Sequence, residues 1–136
     1  MKSKFITLKL GVKKNETDGL LICLCEDSIT ELIFTLNKFA AAPVIISKKN
    51  IVNSNPKYIF INSGNANACT GQEGLANTKK ILKLLAKKLN CNSNEIIIMS
   101  TGIIGRQLPI DNIEKSIEEN AFNSYSSLKD AASAVM

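Results

Sequence analysis

The sequence contains no histidine and no tryptophan among its 136 residues. Without histidine, this chain alone cannot supply Ser-His or Cys-His catalysis, and it cannot offer an imidazole ligand to a metal. Any chemistry would have to use hydroxyl, amide, carboxylate and lysine groups or the backbone. The four cysteines form no CxxC pair, so we predict no structural zinc and no other metal site.

The spacing of the cysteines favours structural roles. Cys23 and Cys25 alternate along an apolar segment, so on a strand they would share one face as small buried hydrophobic residues. Cys69 lies in a segment of small residues and is a candidate nucleophile, but the chain has no histidine to activate it. A structural role for Cys69 is therefore favoured.

Long apolar runs are also missing, since no segment approaches the roughly 20 residues that a membrane helix needs. The N-terminal segment 1–14 returns to lysine within a few residues and lacks the apolar stretch and cleavage site of a secretory signal. We therefore predict a cytoplasmic protein without a membrane partner. The length suits a single domain, or a fragment of one, over residues 1–136.

The formal net charge of +5 raises the question of nucleic-acid binding. The lysines of segment 72–90 fall on one face of an amphipathic helix whose opposite face carries Leu75, Ile81, Leu82, Leu85 and Leu89. Two tyrosines leave little aromatic surface on which bases could stack. The pattern therefore indicates a solvated basic helix face, and we predict no nucleic-acid partner.

The chain predicts a mixed α/β fold, an α+β sheet with flanking helices. Segments 4–12, 20–27 and 30–36 are rich in β-formers and are predicted to form a meander of three strands. Segments 57–61 and 94–100 read as short buried strands, while segment 38–51, with Pro43 in its middle, stays unassigned.

The last third of the sequence predicts helices. Over segment 109–121, Pro109 stands near the first turn and Ile110, Ile113 and Ile117 mark one apolar face. Segment 126–136 also reads as a helix, and it ends on apolar residues without a capping glycine or a polar tail. We therefore interpret the chain as a piece of a longer protein.

Two buried strands lead into polar turns that contain glycine, in the sequences FINSGNAN and MSTGIIG. The carboxyl ends of strands in open α/β sheets are common ligand sites, because the loops there expose backbone N–H groups. In the second turn, Gly102 can expose its amide and Thr101 can add a hydroxyl. Two donors aimed at one point would form an oxyanion hole for acyl transfer.

Three segments of the chain, FTLNKFAAAPVIIS (34–47), INSGNANACTG (61–71) and STGIIGRQLP (100–109), have the order and spacing seen in one family. They resemble the ornithine acetyltransferases, the glutamate N-acetyltransferases of arginine biosynthesis. The likeness extends over nearly the whole chain. It implies the N-terminal part of the α chain of an αββα sandwich.

The resemblance also implies an activity. In these multifunctional enzymes a precursor cleaves itself ahead of a threonine, and that threonine passes an acetyl group from N-acetyl-L-ornithine to L-glutamate. Thr101 and Gly102 match the family's oxyanion pair. No cofactor is implied, although some members accept acetyl-CoA as a donor.

The nucleophilic threonine has no counterpart in this sequence, because in the family it lies beyond the position of Met136. The resemblance therefore implies that the chain alone is inactive and that the nucleophile-bearing β chain is its partner, in a heterotetramer of two α and two β chains. The alternative is a non-catalytic α/β anion-binding module or a relic fragment.

The asparagine-rich turn offers a further hypothesis. Asn62, Asn65 and Asn67 would use their side-chain amides to brace the turn that bears Thr101 and Gly102, because neighbouring strand ends bring the two turns together. The alternative is that they are ordinary turn residues without catalytic effect.

Overall fold

A computed structural model describes residues 2–136, apart from the side chain of Asn53. Within this range the strands are β1 (Lys4–Leu8), β2 (Gly19–Cys23), β3 (Tyr58–Asn65) and β4 (Ile96–Ile103). The helices are α1 (Ala42–Asn53), α2 (Gly71–Leu89), α3 (Ile110–Glu119) and α4 (Leu128–Val135), with a short 3-10 helix at Ser93–Glu95.

The four strands form one mixed sheet in the order β1-β2-β3-β4. β1 pairs with β2 and β2 with β3 in antiparallel fashion, whereas β3 and β4 are parallel. The connection from β3 to β4 runs through α2, as a parallel pair requires a crossover. The predicted mixed α+β fold is confirmed.

The hydrophobic core lies on one face of this sheet. Leu21, Phe60 and Ile98 are directly paired on the neighbouring strands β2, β3 and β4. The hydrophobic core packs them against α1, α2 and α3. Phe60 is fully buried. The other face is contacted by α4, since the Ser63 hydroxyl donates to the Val135 carbonyl and α4 contacts β1, β2 and β3.

The predicted amphipathic helices are confirmed, because their apolar spacing matches the 3.6-residue period. In α2, Ile81, Leu82 and Leu85 are buried while the lysines at 79, 80, 83 and 87 are exposed. In α3, Ile113 and Ile117 are buried. The unassigned segment 38–51 contributes α1, in which Pro43 occupies the first turn, where its missing N–H costs nothing.

The predicted strand over 30–36 is wrong, and with it the three-stranded meander. These residues form no strand, and β2 ends at Cys23, so segment 20–27 is only half a strand. Four large side chains of segment 29–39 are almost fully exposed: Ile29, Ile33, Leu36 and Phe39. The β-forming residues of this segment have no partner strand within residues 2–136, so the composition alone predicted a strand that does not form.

No helix within residues 2–136 is both long enough and apolar enough to cross a membrane.

Candidate functional site

The candidate site lies where the parallel strands β3 and β4 end side by side. Asn62 pairs with Ser100, Ser63 with Thr101 and Gly64 with Gly102. The prediction that Thr101 and Gly102 form a turn after the strand is wrong, because β4 continues through both residues to Ile103. The parallel partner keeps the chain paired at this point, so the two residues lie within the last part of β4.

Gly102 lies against the backbone of Gly64. A Cβ atom built on Gly102 would lie 2.2 Å from the carbonyl carbon of Gly64 and 2.5 Å from the nitrogen of Asn65. Gly102 also has a φ of +132°, a conformation that other residues rarely adopt. Both features require glycine here, so the close packing of the two strand ends depends on it.

The outer edge of β4 carries the amide of Gly102. The N–H and the carbonyl of Ile98 both bond the hydroxyl of Ser47 on α1, and the carbonyl of Ile96 accepts from Asn50 of α1. The carbonyl of Ile103, in contrast, accepts from Ala66 next to β3. Backbone groups of alternate residues point to opposite sides of a strand, so the Gly102 N–H lies on the outer edge with those of Ile96 and Ile98.

Thr101 and the residues after it are open to solvent. Every residue from 101 to 107 is exposed. Within residues 2–136 the Thr101 hydroxyl has no hydrogen-bond partner. The strand end therefore presents a hydroxyl and a backbone amide, on consecutive residues, that a ligand could reach.

Asn62 and Asn65 connect β3 to β4 and to the segment that follows it. Asn62 Oδ1 accepts from the Ser100 hydroxyl at 2.5 Å, and its Nδ2 donates to the Asn65 carbonyl at 2.8 Å. Asn65 Nδ2 donates to the carbonyls of Arg106 at 3.0 Å and Gln107 at 3.2 Å. Both asparagines are 2% exposed, so their side chains are shielded from water, although the Asn65 partners Arg106 and Gln107 are exposed residues.

The side chain of Asn67 forms its hydrogen bonds with residues at the beginning of α2. Its Nδ2 donates to the Thr78 hydroxyl at 2.8 Å and to the Gly74 carbonyl at 3.3 Å, and its Oδ1 accepts from Thr70 at 2.8 Å. The side chain of Asn67 thus connects the segment after β3 to the beginning of α2. The structure brings Asn62 and Asn65 to β4 and its following segment, but it does not bring Asn67 there.

Sequence reasoning missed two residues at this strand end. Ser100 bonds Asn62 across the strand pair, and only the register reveals this contact. Asp18 is fully buried beside the ends of β2 and β3, and its carboxylate accepts three backbone N–H groups. In the sequence, Asp18 stands before Gly19 and is typical of a turn residue. The signal that could have indicated its burial is that an apolar run follows it directly.

The opposite end of the sheet holds the other distinctive polar groups. Lys57 Nζ and Glu95 Oε1 lie 2.6 Å apart, and this hydrogen bond raises the pKa of Lys57 and lowers that of Glu95. Burial raises the pKa values of the Cys23 and Cys91 thiols. Cys25 lies beyond the end of β2, so Cys23 and Cys25 do not share a strand face as predicted.

Comparison with known proteins identifies the chain's relatives. The model of the ArgJ family matches residues 4–136. The chain belongs to the ArgJ family. It is 43% identical over 110 residues to the arginine biosynthesis bifunctional protein ArgJ of Dehalococcoides mccartyi, a match that covers 79% of this chain and 27% of the relative. With the ArgJ protein of Rhodopirellula baltica the identity is 37% over 119 residues, covering 87% of this chain and 29% of the relative.

Solved ArgJ structures share the fold. The ornithine acetyltransferase of Mycobacterium tuberculosis complexed with ornithine superposes with a TM-score of 0.89 at 27% identity, covering 98% of this chain and 75% of that one. The arginine biosynthesis bifunctional protein ArgJ of Bacillus halodurans gives a TM-score of 0.85 at 27% identity, with coverage of 98% and 71%. The chain thus spans less than a third of the two curated ArgJ relatives from Dehalococcoides and Rhodopirellula.

Proposed function

We propose that this chain is the oxyanion-binding part of a glutamate N-acetyltransferase, an enzyme that transfers acetyl from N-acetyl-L-ornithine to L-glutamate in arginine biosynthesis. Membership of the ArgJ family supports this proposal, as does the likeness to a structure of an ornithine acetyltransferase with ornithine. The observation that carries it is the exposed Thr101-Gly102 pair at the end of β4.

The chemistry follows from the two donors. Attack on the acetyl carbonyl places negative charge on its oxygen, and a fixed N–H and O–H that point at this oxygen stabilise it by about 3 to 4 kcal/mol per donor. Gly102 supplies the N–H from the outer edge of β4, and Thr101 supplies its hydroxyl. Because Gly102 is packed against Gly64, its N–H is held in place before the charge develops.

The nucleophile would come from another segment of the same precursor. We propose that the precursor cleaves itself into α and β chains, that the β chain provides a threonine nucleophile, and that two copies of each assemble. The exposed apolar residues of segment 29–39 and Met99 and Ile103 of β4 support such a partner. A surface of this kind is typical of an interface rather than of a free monomer.

Several finer features belong to the same proposal. The chain alone would be inactive, no metal or cofactor would take part, and acetyl-CoA would be at most a second acetyl donor. The cytoplasm is the proposed location, which the unpaired state of Cys23, Cys25, Cys69 and Cys91 supports.

The test is a hybrid enzyme in which this chain replaces the matching segment of the Dehalococcoides relative. We expect the hybrid to cleave into two chains on a denaturing gel and to form N-acetylglutamate from glutamate and N-acetylornithine. An assay of the same hybrid with acetyl-CoA in place of N-acetylornithine tests whether acetyl-CoA serves as a second acetyl donor. A cleaved, folded hybrid that transfers no acetyl group from either donor would contradict the proposal and favour an anion-binding module.

A further inference from the structure

Asp18 is a buried acid that the proposed chemistry does not use. It lies directly before β2 and is fully buried. Its Oδ1 accepts from the Leu10 N–H at 2.5 Å, and its Oδ2 accepts from Val12 at 2.6 Å and Lys13 at 2.7 Å. All three of these donors are backbone N–H groups of one turn, so the shape of the 10–13 turn depends on this one carboxylate.

The backbone of Asp18 joins the same turn to the end of β3. The Asp18 N–H donates to the Leu8 carbonyl at 3.1 Å, and its carbonyl accepts from the Ser63 N–H at 2.8 Å. Ser63 directly precedes Gly64. The residue therefore fixes the 10–13 turn relative to β3 through both its side chain and its main chain.

The turn packs on Gly64. A Cβ atom built on Gly64 would lie 2.8 Å from Lys13 Cγ and 3.1 Å from Val12 Cγ1. Gly64 also has a φ of +102°, so a larger residue would be strained there whatever the space. The side chains of Lys13 and Val12 therefore lie against β3 at Gly64 and leave no room for a side chain there.

Gly64 in turn packs on Gly102, with no side chain between the two backbones. The 10–13 turn, Gly64 and Gly102 thus form three layers in contact, and Asp18 holds the first layer. Because the layers are in van der Waals contact, a shift of the turn would displace Gly64 and, with it, the N–H of Gly102. Displacing a catalytic group by about 1 Å can cost on the order of 100-fold in rate.

We propose that Asp18 is a positioning residue that holds the Gly102 amide in its oxyanion-binding orientation through the 10–13 turn and Gly64. This inference rests on the proposed function, because it assigns Asp18 a part in that function's oxyanion hole. Asp18 is fully buried, so it acts through the turn and not through contact with substrate.

The first test is Asp18→Asn in the hybrid enzyme. Asparagine turns an NH2 group toward backbone N–H groups that need an acceptor, so the turn must shift. We expect kcat to fall about 10- to 100-fold, while KM for N-acetylornithine changes less than about threefold because ground-state contacts are kept. Asp27→Asn, at an exposed acid, is the control and should keep the normal kcat. If Asp18→Asn folds and keeps the normal kcat well below its Tm, Asp18 is merely structural and the proposal is overturned.

A second pair of variants tests the positioning role of Asp18 if Asp18→Asn does not fold. Lys13→Ala removes the side chain that presses on Gly64 and leaves the Lys13 N–H bonded to Asp18, whereas Lys13→Met keeps the Cγ contact and removes only the charge. We expect kcat to fall in the alanine variant and to recover in the methionine variant. Normal kcat in Lys13→Ala, or no recovery in Lys13→Met, would overturn the proposal.

Failure of this inference can be told from failure of the proposed function. Removing the Thr101 hydroxyl in the same hybrid tests the oxyanion pair without touching the 10–13 turn. A loss of rate on changing Thr101, together with normal rates in the Asp18 and Lys13 variants, overturns only the positioning role. A normal rate on changing Thr101 overturns the oxyanion function itself, and the positioning role with it.

Discussion

The two polar segments at the ends of β3 and β4 both contain glycine, serine and threonine, but their environments are opposite. In segment 61–71 the asparagines are at most 2% exposed and their amides bond the protein itself. In segment 100–109 residues 101–107 are all exposed, and the Thr101 hydroxyl has no partner within residues 2–136. The buried asparagines therefore build a scaffold in segment 61–71, whereas Thr101 and Gly102 present donors in segment 100–109. Composition alone does not separate the two roles, because partners decide them.

The largest expected effect breaks the contact between the two segments. Gly102→Ala in the hybrid enzyme places a Cβ on the Gly64 carbonyl carbon and forces an unfavourable φ, so the amide must move. We expect kcat to fall about 100- to 1,000-fold, which is the cost of losing an oxyanion donor. Gly105→Ala is the matched control, because Gly105 also has a positive φ but a Cβ added there would have no atom within 4 Å. An equal loss in both variants would mean that backbone strain, rather than the contact with Gly64, causes the effect.

The next effect concerns Asn65, which belongs to the buried segment but bonds the exposed one. Asn65→Ala removes the donor to the Arg106 and Gln107 carbonyls and frees the segment after β4. We expect kcat to fall about 10-fold, a modest misplacement of the donors, together with a lower Tm. Unchanged acetyl transfer would leave Asn65 merely architectural.

Asn67 should separate stability from catalysis. Asn67→Ala leaves the buried Thr70 and Thr78 hydroxyls without their amide partner, at a cost of about 1 to 3 kcal/mol in the free energy of unfolding. Because Asn67 bonds α2 rather than β4, we expect kcat per folded enzyme to stay within about threefold of normal. Urea unfolding gives the first quantity and steady-state kinetics the second. A loss of kcat as large as that of Asn65→Ala would contradict the division between the two asparagines.

The smallest effect sharpens the comparison without any mutation. Cys69 is exposed, whereas most residues of segment 61–71 are buried or partly buried. Burial raises the pKa values of Cys23 and Cys91, which lowers their thiolate fractions near neutral pH. We expect iodoacetamide to modify Cys69 before Cys23 and Cys91 at about pH 7.5, as measured by peptide mass spectrometry. The difference between the alkylation rates should become smaller as the pH rises, because the thiolate fractions of Cys23 and Cys91 increase. Earlier modification of Cys23 would contradict the partial burial of Cys23 at the end of β2.

Much of the fold could be predicted, because apolar period and burial coincide in its main elements. The spacing of Ile81, Leu82 and Leu85 predicts α2 correctly. The apolar runs 57–61 and 94–100 predict the beginnings of β3 and β4, but both strands continue through the residues predicted as turns, to Asn65 and Ile103. The strand predicted over segment 30–36 is absent for a physical reason. Its β-formers have the right composition, but Ile33 is 103% exposed, so no surface within residues 2–136 buries it.

The candidate site was only partly predictable. Thr101 and Gly102 stand out in the sequence, yet their place inside β4 follows from the register with β3, which no local pattern encodes. The division of labour between Asn65 and Asn67 likewise depends on which carbonyls lie nearby in the fold. Asp18 was missed because its three donors come from irregular backbone, which has no sequence period.

The most direct measurement compares kcat for acetyl transfer in the Thr101→Val and Thr101→Ser hybrids. Valine has nearly the shape of threonine without the hydroxyl, whereas serine keeps the hydroxyl on a smaller side chain. We predict that Thr101→Val loses about 100-fold in kcat and that Thr101→Ser stays within about 10-fold of the parent. A near-normal kcat in Thr101→Val would contradict the claim that this strand end stabilises the oxyanion.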